Sequence, residues 1–533
     1  MNQTNKKVIS FIKREQTWLS FLLLIVISFT FLAWLQYNPG FACPDSYYHM
    51  KMAMLIKEQG VVKNFPWQQF TIFKNYYIDH HFLFHLFEIP FILFLQPVLG
   101  IKLSVIVFAT LCIVVFYWFL RKQRIRYAIV YSFILLLITP FTFRISLARA
   151  QSLAVIFLLL GLYFIFHYRY WYLFFLSFFF VWLYDGFPLM LIFCMIFAVI
   201  DFIFEKVKNK KKWRLPWQKK HTFWLSLIQN RGTKVLLGGL SGTLAGIIIN
   251  PYFPKNLYFY WYHIIKIAVV NYQKVIGVGA EWYPYKFIDL ISNSVLATIL
   301  LVIALVLFFF SLRKQSRQSI TLLFIYLFFF IMTLRSKRNM DYYAPFAILF
   351  AATVINQFII KINFKKLLNT AINFYFKRKI LITIILVYVL AVVPTIIIRD
   401  IKTTKGDLDS GWPYYKFSNA MEWLKNNSPQ GSIVVHSSWD EFPILFFHNT
   451  WNYYIVGLDP TFMYEYNKDL YWKWVDLTNG KPADRMYEVI KNDFNASYVF
   501  VKSGHQAMTE ALENDPKIKV VYHDEEASIY QLE

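Results

Sequence analysis

Charge is scarce in this chain. Only 16% of its 533 residues are charged, against roughly 25% in soluble globular chains. Acids are scarcer still in the first 400 residues, where twelve occur. Cysteine is nearly absent: Cys43, Cys112 and Cys194, two of them inside apolar runs, offer neither a disulfide framework nor a metal-ligand spacing. The first apolar run is long and lacks a small-residue cleavage site, which excludes a removable signal peptide and leaves a retained helix. There is also no internal repeat of the kind that marks transporters built from related halves.

Hydrophobic residues, in contrast, make up 57% of the chain. Runs such as 18–37 are apolar almost throughout and about as long as a helix needs to cross a hydrocarbon layer of roughly 30 Å. Runs of this kind lie at 17–36, 101–120, 127–141, 151–167, 171–184, 187–204, 234–250, 289–311, 319–334, 341–360 and 379–398. The net charge of +24 is not the footprint of a nucleic-acid partner, because it is unevenly distributed. Residues 401–533 carry 12 Lys+Arg against 19 Asp+Glu, a net of −7, and the preceding 400 carry 43 against 12, a net of +31. The basic residues clump at 6–14, 121–126, 206–220, 313–317 and 361–379, between apolar runs, as orienting signals do. Placing every clump in the cytoplasm gives about 11 spans, a cytoplasmic N-terminus and an extracytoplasmic C-terminal domain. That parity requires the run 82–95, which holds His85, Glu88 and Pro90, to lie at the outer interface instead of crossing. The expected fold class is therefore a polytopic α-helical membrane domain, 1–399, followed by a soluble α/β domain, 400–533.

This topology puts nine of the twelve acids on the outer side and only Glu15, Asp201 and Glu205 inside. Acids contribute little to orientation, and ionisable groups at membrane depth are costly enough to mark a site. The outer face is the expected working face.

The first outer loop, 38–100, contains Asp45-Ser46-Tyr47-Tyr48-His49 and then Asp79-His80-His81. Carboxylates and imidazoles there suit a divalent cation or the removal of a proton. Oxygen donors favour Mg2+ or Mn2+, and the His pair favours Mn2+ or Zn2+. The plainer alternatives are that Asp45 caps a helix and that the histidines make interfacial hydrogen bonds. Arg144 and Arg149 also fall outside, against the positive-inside trend, and need a partner: a lipid phosphate, or an internal carboxylate such as Asp185. The outer loop 251–288 ends in Gly277-Val278-Gly279-Ala280-Glu281-Trp282, which reads either as a glycine-flexed segment that orders over a substrate or as an ordinary loop acid. Arg335, Lys337 and Arg338 stand at the outer end of a span, where forked guanidiniums suit a phosphate or diphosphate and headgroup snorkelling is the alternative.

Beyond residue 400, 416–426 reads as an amphipathic helix and 432–436, 496–501, 518–522 and 527–532 as strands. Trp439 and Asp440 follow the first of these at its carboxyl end, where open α/β sheets bind ligands. Packing is the other reading of the Trp.

Together these residues resemble the catalytic subunit of oligosaccharyltransferases, within the GT-C superfamily of polyprenyl-linked-sugar glycosyltransferases. Asp45-Ser46-Tyr47-Tyr48-His49 looks like that family's first acidic motif, and Glu281 is similar in place to its loop glutamate. Arg338 ahead of Tyr343-Ala344-Pro345 resembles its diphosphate-contacting arginine. Ala420-Met421-Glu422-Trp423-Leu424-Lys425, leading to Trp439 and Asp440, looks like the approach to its Trp-Trp-Asp-Tyr-Gly motif. Two departures stand out. Ser438 precedes Trp439 and Glu441-Phe442 follow Asp440, which counts against an Asn-sequon peptide as acceptor. The second acidic motif is missing, because 148–152 holds no carboxylate.

The resemblance implies a polyprenyl phosphate- or diphosphate-linked sugar as donor, with Arg338, Arg335, Arg144 and Arg149 as phosphate-binding candidates. Asp45 and Glu281 are the catalytic candidates, and Trp439 and Asp440 the acceptor-binding ones. A divalent metal, Mg2+ or Mn2+, is implied, with Asp45, Asp79, His81 and Asp185 as candidate ligands. The acceptor is a glycan, a lipid or a protein of the cell envelope, and the basic bias without disulfides suits a prokaryotic plasma membrane. The competing class is non-catalytic: a lipid-linked glycan transporter or flippase, or a degenerate relative that only binds glycans.

Overall fold

The computed structural model describes residues 3–208, 230–360 and 378–533. Most of each basic clump at 361–379 and 206–220 lies outside the described residues. Every apolar run expected to span is helical, but not every one makes a full crossing. Among the described residues, five helices are long and apolar enough to cross a membrane: Trp18–Leu35, Pro97–Lys122, Pro188–Val207, Arg317–Arg335 and Lys337–Ile359. A sixth crossing follows if Ala128–Leu136 and Thr139–Ile145, bent by 79° to one another, are one broken span. The sequence led us to expect about 11 spans, of which five or six meet the length and composition of a full crossing among the described residues. Gln151–Phe166, Tyr170–Leu183 and Val295–Phe310 are apolar but stop at 16, 14 and 16 residues, short of the ~20 that hydrocarbon requires. These helices, with the terminal apolar ones, make the chain an integral membrane protein.

The bend at 137–138 is written in the sequence. Pro140 sits at the start of Thr139–Ile145, where its missing N–H costs nothing, and Ile138 ahead of it is extended. The redirected helix carries Arg144 into the interior. Close helix packing is written equally plainly in Gly238, Gly242 and Gly246, one per turn of Arg231–Ile248. The backbone of Tyr170–Leu183 runs directly over them: a Cβ at Gly242 would strike the Phe174 carbonyl oxygen, and one at Gly246 would stand 2.6 Å from that of Phe178. Such small-residue stripes let helices approach where no hydrophobic drive exists between them.

The expected interfacial segment is the helix Phe82–Phe94. It buries Phe82, Phe84, His85, Glu88 and Ile92 and exposes Leu93 and Phe94 at its end.

In the C-terminal region, β3 (Ile433–His436), β4 (Tyr453–Tyr454), β5 (Tyr498–Lys502), β6 (Ile518–His523) and β7 (Ala527–Leu532) form one sheet in the order β4-β3-β5-β7-β6. Strand β3 is parallel to β4 and β5, and β7 is antiparallel to β5 and β6. Strands β1 (Gly40–Phe41) and β2 (Trp412–Pro413) pair antiparallel, tying the first outer loop to the start of this region. The same loop also joins the sheet edge: Gln69 N donates to Tyr454 O at 2.8 Å, and the Trp67 indole N–H donates to Thr450 O at 2.9 Å. The C-terminal region is therefore docked on this loop by backbone pairing, and the helix Lys379–Asp409 runs without a break from the last apolar run into it.

Candidate active site

A cavity of about 670 Å³ opens where the first outer loop, the chain after Thr139–Ile145, the loop around Glu281, the outer end of Met340–Ile359 and the C-terminal region meet. Asp45 opens the helix Asp45–Gln59 but caps nothing; Pro44 holds the cap position and no side chain bonds there. The Asp45 carboxylate instead accepts a hydrogen bond from Arg149 Nη2. Arg149 Nη1 donates to Glu281 Oε2 at 2.9 Å, and Arg144 Nη1 donates to the same oxygen at 2.9 Å. Arg144 Nε also pairs with Asp341. The third guanidinium, Arg338, stands 3.7 Å from Glu281 Oε1, donates to the Tyr184 hydroxyl at 3.0 Å and stacks 4.7 Å over the Trp282 ring.

Three arginines thus converge on one carboxylate. Burial works against the charged form of Glu281, but Arg149, Arg144 and Arg338 outweigh it and hold the carboxyl well below the usual carboxylate range. The loop is pinned as well: the Ser336 hydroxyl donates to Glu281 O at 2.9 Å, and Lys337 N donates to Tyr283 O at 3.0 Å. Beside it, burial pushes the Cys43 thiol up to about 12, so it lines the cavity as a neutral group.

A second polar layer is built from histidines. His85 Nδ1 donates to Asp79 Oδ2 at 2.7 Å, and His85 Nε2 lies 2.8 Å from His49 Nδ1. His81 N donates to Asp79 Oδ1 at 3.0 Å. Burial lowers His49 and His81 well below the ordinary histidine value and brings His80 to about 3. Asp185 bonds to His263 Nδ1. Burial opposes its charge, but His263 and Arg338 prevail and hold Asp185 below the usual range.

Asp45, Glu281, Arg144, Arg149, Arg338, His81, Trp439 and Asp440 all line the cavity. Arg335 does not; its guanidinium turns outward to the Val269 carbonyl. Asp79 lies behind the wall on His85. Gly279 lies against Trp439, whose ring would stand 3.5 Å from a Cβ there. The partners of Arg144 and Arg149 are Asp45, Glu281 and Asp341, not Asp185. Sequence reasoning passed over His263 and Asp341 as site residues and quoted His49 only within the first acidic motif. Asp341 left a signal, as an acid beside a basic cluster.

Of the expected metal ligands, Asp45 and His81 line the cavity, Asp79 is bonded to His85 and Asp185 to His263. Arg149 spans Asp45 and Glu281, and a guanidinium in that position supplies the positive charge an ion would bring.

No family model matches the chain, and no curated protein sequence does. Solved structures do. The archaeal oligosaccharyltransferase AglB from Archaeoglobus fulgidus, in complex with an inhibitory peptide and a dolichol-phosphate, matches 94% of this chain and 72% of its own, at 13% identity and a TM-score of 0.61. The chain shares the fold of this structure. The arabinofuranosyltransferase AftD from Mycobacteria shares it over 96% of this chain and 40% of its own, at 11% identity and a TM-score of 0.55. ArnT from Cupriavidus metallidurans, bound to undecaprenyl phosphate, shares it over 96% of this chain and 97% of its own, at 12% identity and a TM-score of 0.50. Within this fold the cavity lies between loops of the helical region and the C-terminal region.

Proposed function

We propose that this chain is a glycosyltransferase that moves a sugar or glycan from a polyprenyl phosphate or diphosphate donor to an acceptor on the extracytoplasmic face. The observation that carries this reading is the convergence of Arg144, Arg149 and Arg338 in one cavity among apolar helices. With Lys337, four cations line the cavity beside the carboxylates of Asp45, Glu281, Asp407, Asp440 and Asp459. Arg338, 3.7 Å from its carboxylate partner Glu281, is the most loosely paired of the three arginines and the one best placed for an anionic group. The dolichol-phosphate and undecaprenyl phosphate in the similar structures support a lipid phosphate as that group.

In the reaction we propose, the acceptor's nucleophile forms a bond to the anomeric carbon as the carbon–oxygen bond to the phosphate breaks. The electron pair leaves on the lipid phosphate, where Arg338 and Arg144 neutralise the charge as it develops. Asp45, its side chain 24% exposed at the cavity, orients the acceptor and takes its proton. Trp439 and Asp440, on the other wall, offer a stacking face and a carboxylate to the acceptor. Arg149 supplies positive charge between Asp45 and Glu281 in this step.

The test is incubation of membranes containing the protein with radiolabelled polyprenyl-linked sugars and extracted envelope acceptors. Label recovered on an acceptor supports transfer. Label that only changes leaflet, or only binds, moves the chain to the transport or glycan-binding class.

A further inference from the structure

The cavity wall carries a second cluster that the proposed transfer step does not use. His80 comes from the first outer loop, Asp185 from the turn between two apolar helices, and His263 from the π-helical segment Trp261–Val270. Their donor atoms all lie within 4.8 Å of one another, the only such group of three His, Cys, Asp or Glu among the described residues. All three are buried, at 8%, 6% and 8% exposure. Two of their polar atoms have no partner: Asp185 Oδ1 and His80 Nδ1 are both shut from solvent without a hydrogen bond. A buried polar atom left unpaired costs about 1–3 kcal/mol, and such orphans call for a missing ligand.

We propose that His80, Asp185 and His263 form a binding site for one divalent transition-metal ion, distinct from the Asp45–Glu281 pair. Two imidazoles and one carboxylate are a donor set for a borderline ion such as zinc or manganese, and a poor one for magnesium, which prefers oxygen. In a tetrahedral zinc site donor atoms stand roughly 3.4 Å apart, so the three side chains reach ligation by closing inward by about an ångström. Three protein ligands leave a fourth position, and His80 and His263 both line the cavity, as Arg338 does. That position faces the place where a phosphate oxygen would lie if the proposed transfer reading holds. The binding site itself stands without that reading. A π-helical turn at His263 fits this role, since such turns gather at functional sites.

The experiment uses the full-length protein purified in detergent and stripped with chelator. It is then titrated with Co2+, whose visible spectrum reports tetrahedral nitrogen ligation, and with Zn2+, read by mass spectrometry of bound metal. The wild type is expected to hold about one ion per chain and to develop the cobalt spectrum. Asp185→Asn and His263→Gln, each checked for a monodisperse gel-filtration peak, are expected to weaken binding by about tenfold or more. Asp45→Asn is expected to bind as the wild type does. No cobalt spectrum and no retained zinc in the wild type would overturn the proposal. So would loss of metal in Asp45→Asn with retention in the other two. Because no step reads activity, failure here is separable from failure of the transferase reading.

Discussion

The guanidinium of Arg149 is hydrogen-bonded to the carboxylate of Asp45, although the two stand 104 residues apart in the chain. Through its other terminal nitrogen the same group reaches Glu281 at 2.9 Å. Two carboxylates on separate outer loops are therefore joined by one cation that the chain carries itself. Arg149→Ala leaves both acids without that charge. Transfer is expected to fall by about 10²–10³-fold, the usual order for losing one preorganised electrostatic group. Arg149→Lys keeps the charge but cannot fork to two acids and is expected to recover only part of the rate. Equal rates for wild type and Arg149→Ala in the labelled-donor assay would remove this arginine from the site.

The pH response of the same network is fixed in sign. Glu281 is held below its ordinary value of 4.5. A carboxyl depressed in the folded state stabilises it fully above the unfolded value, and that contribution is lost as pH falls toward the folded one. The gap in thermal midpoint between wild type and Glu281→Gln is expected to stay constant from neutral pH down to about 5 and to shrink below it. A gap that widens on acidification would contradict the assignment.

The membrane helices offer a test that does not touch the site. Leucine at Gly242 has no space, because the Phe174 carbonyl lies over it. Gly242→Leu is expected to cost about 1–3 kcal/mol and to lower the melting midpoint in detergent. Gly277→Ala, which meets nothing within 4 Å, is expected to leave the midpoint unchanged.

Where the Trp439 ring packs against Gly279, Trp439→Ala is expected to raise the KM for acceptor several-fold while leaving donor binding intact. A change in donor affinity alone would place Trp439 with the phosphate and not the acceptor.

Much of this architecture was legible in the sequence, for one physical reason. Charge is so costly in an apolar chain that Asp45, Arg144, Arg149, Glu281 and Arg338 stand out by residue type and position alone. The strands were legible too: β7 occupies the expected 527–532, and β3 and β5 differ by a residue or two at their ends. Pairing was not legible. Arg144 and Asp341 are 197 residues apart, and nothing local ties them. His263 was missed because a lone imidazole in an apolar segment has no spacing to announce a partner. Arg335 was included because it shares a cluster with Arg338, yet the 3-10 turn Lys337–Asn339 leaves one guanidinium facing out and the other facing in. Span number is not settled by helix length, because apolar helices of 14–16 residues fit a buried or partial helix as well as a crossing.

The most direct measurement compares wild type and Asp45→Ala, each reconstituted in liposomes with a radiolabelled polyprenyl-linked sugar and an extracted envelope acceptor. The account predicts that label passes to the acceptor with the wild type. With the variant it should stay on the lipid, although the variant remains folded and still binds donor. Transfer at the wild-type rate by Asp45→Ala would contradict the account, as would donor binding by the wild type without any transfer.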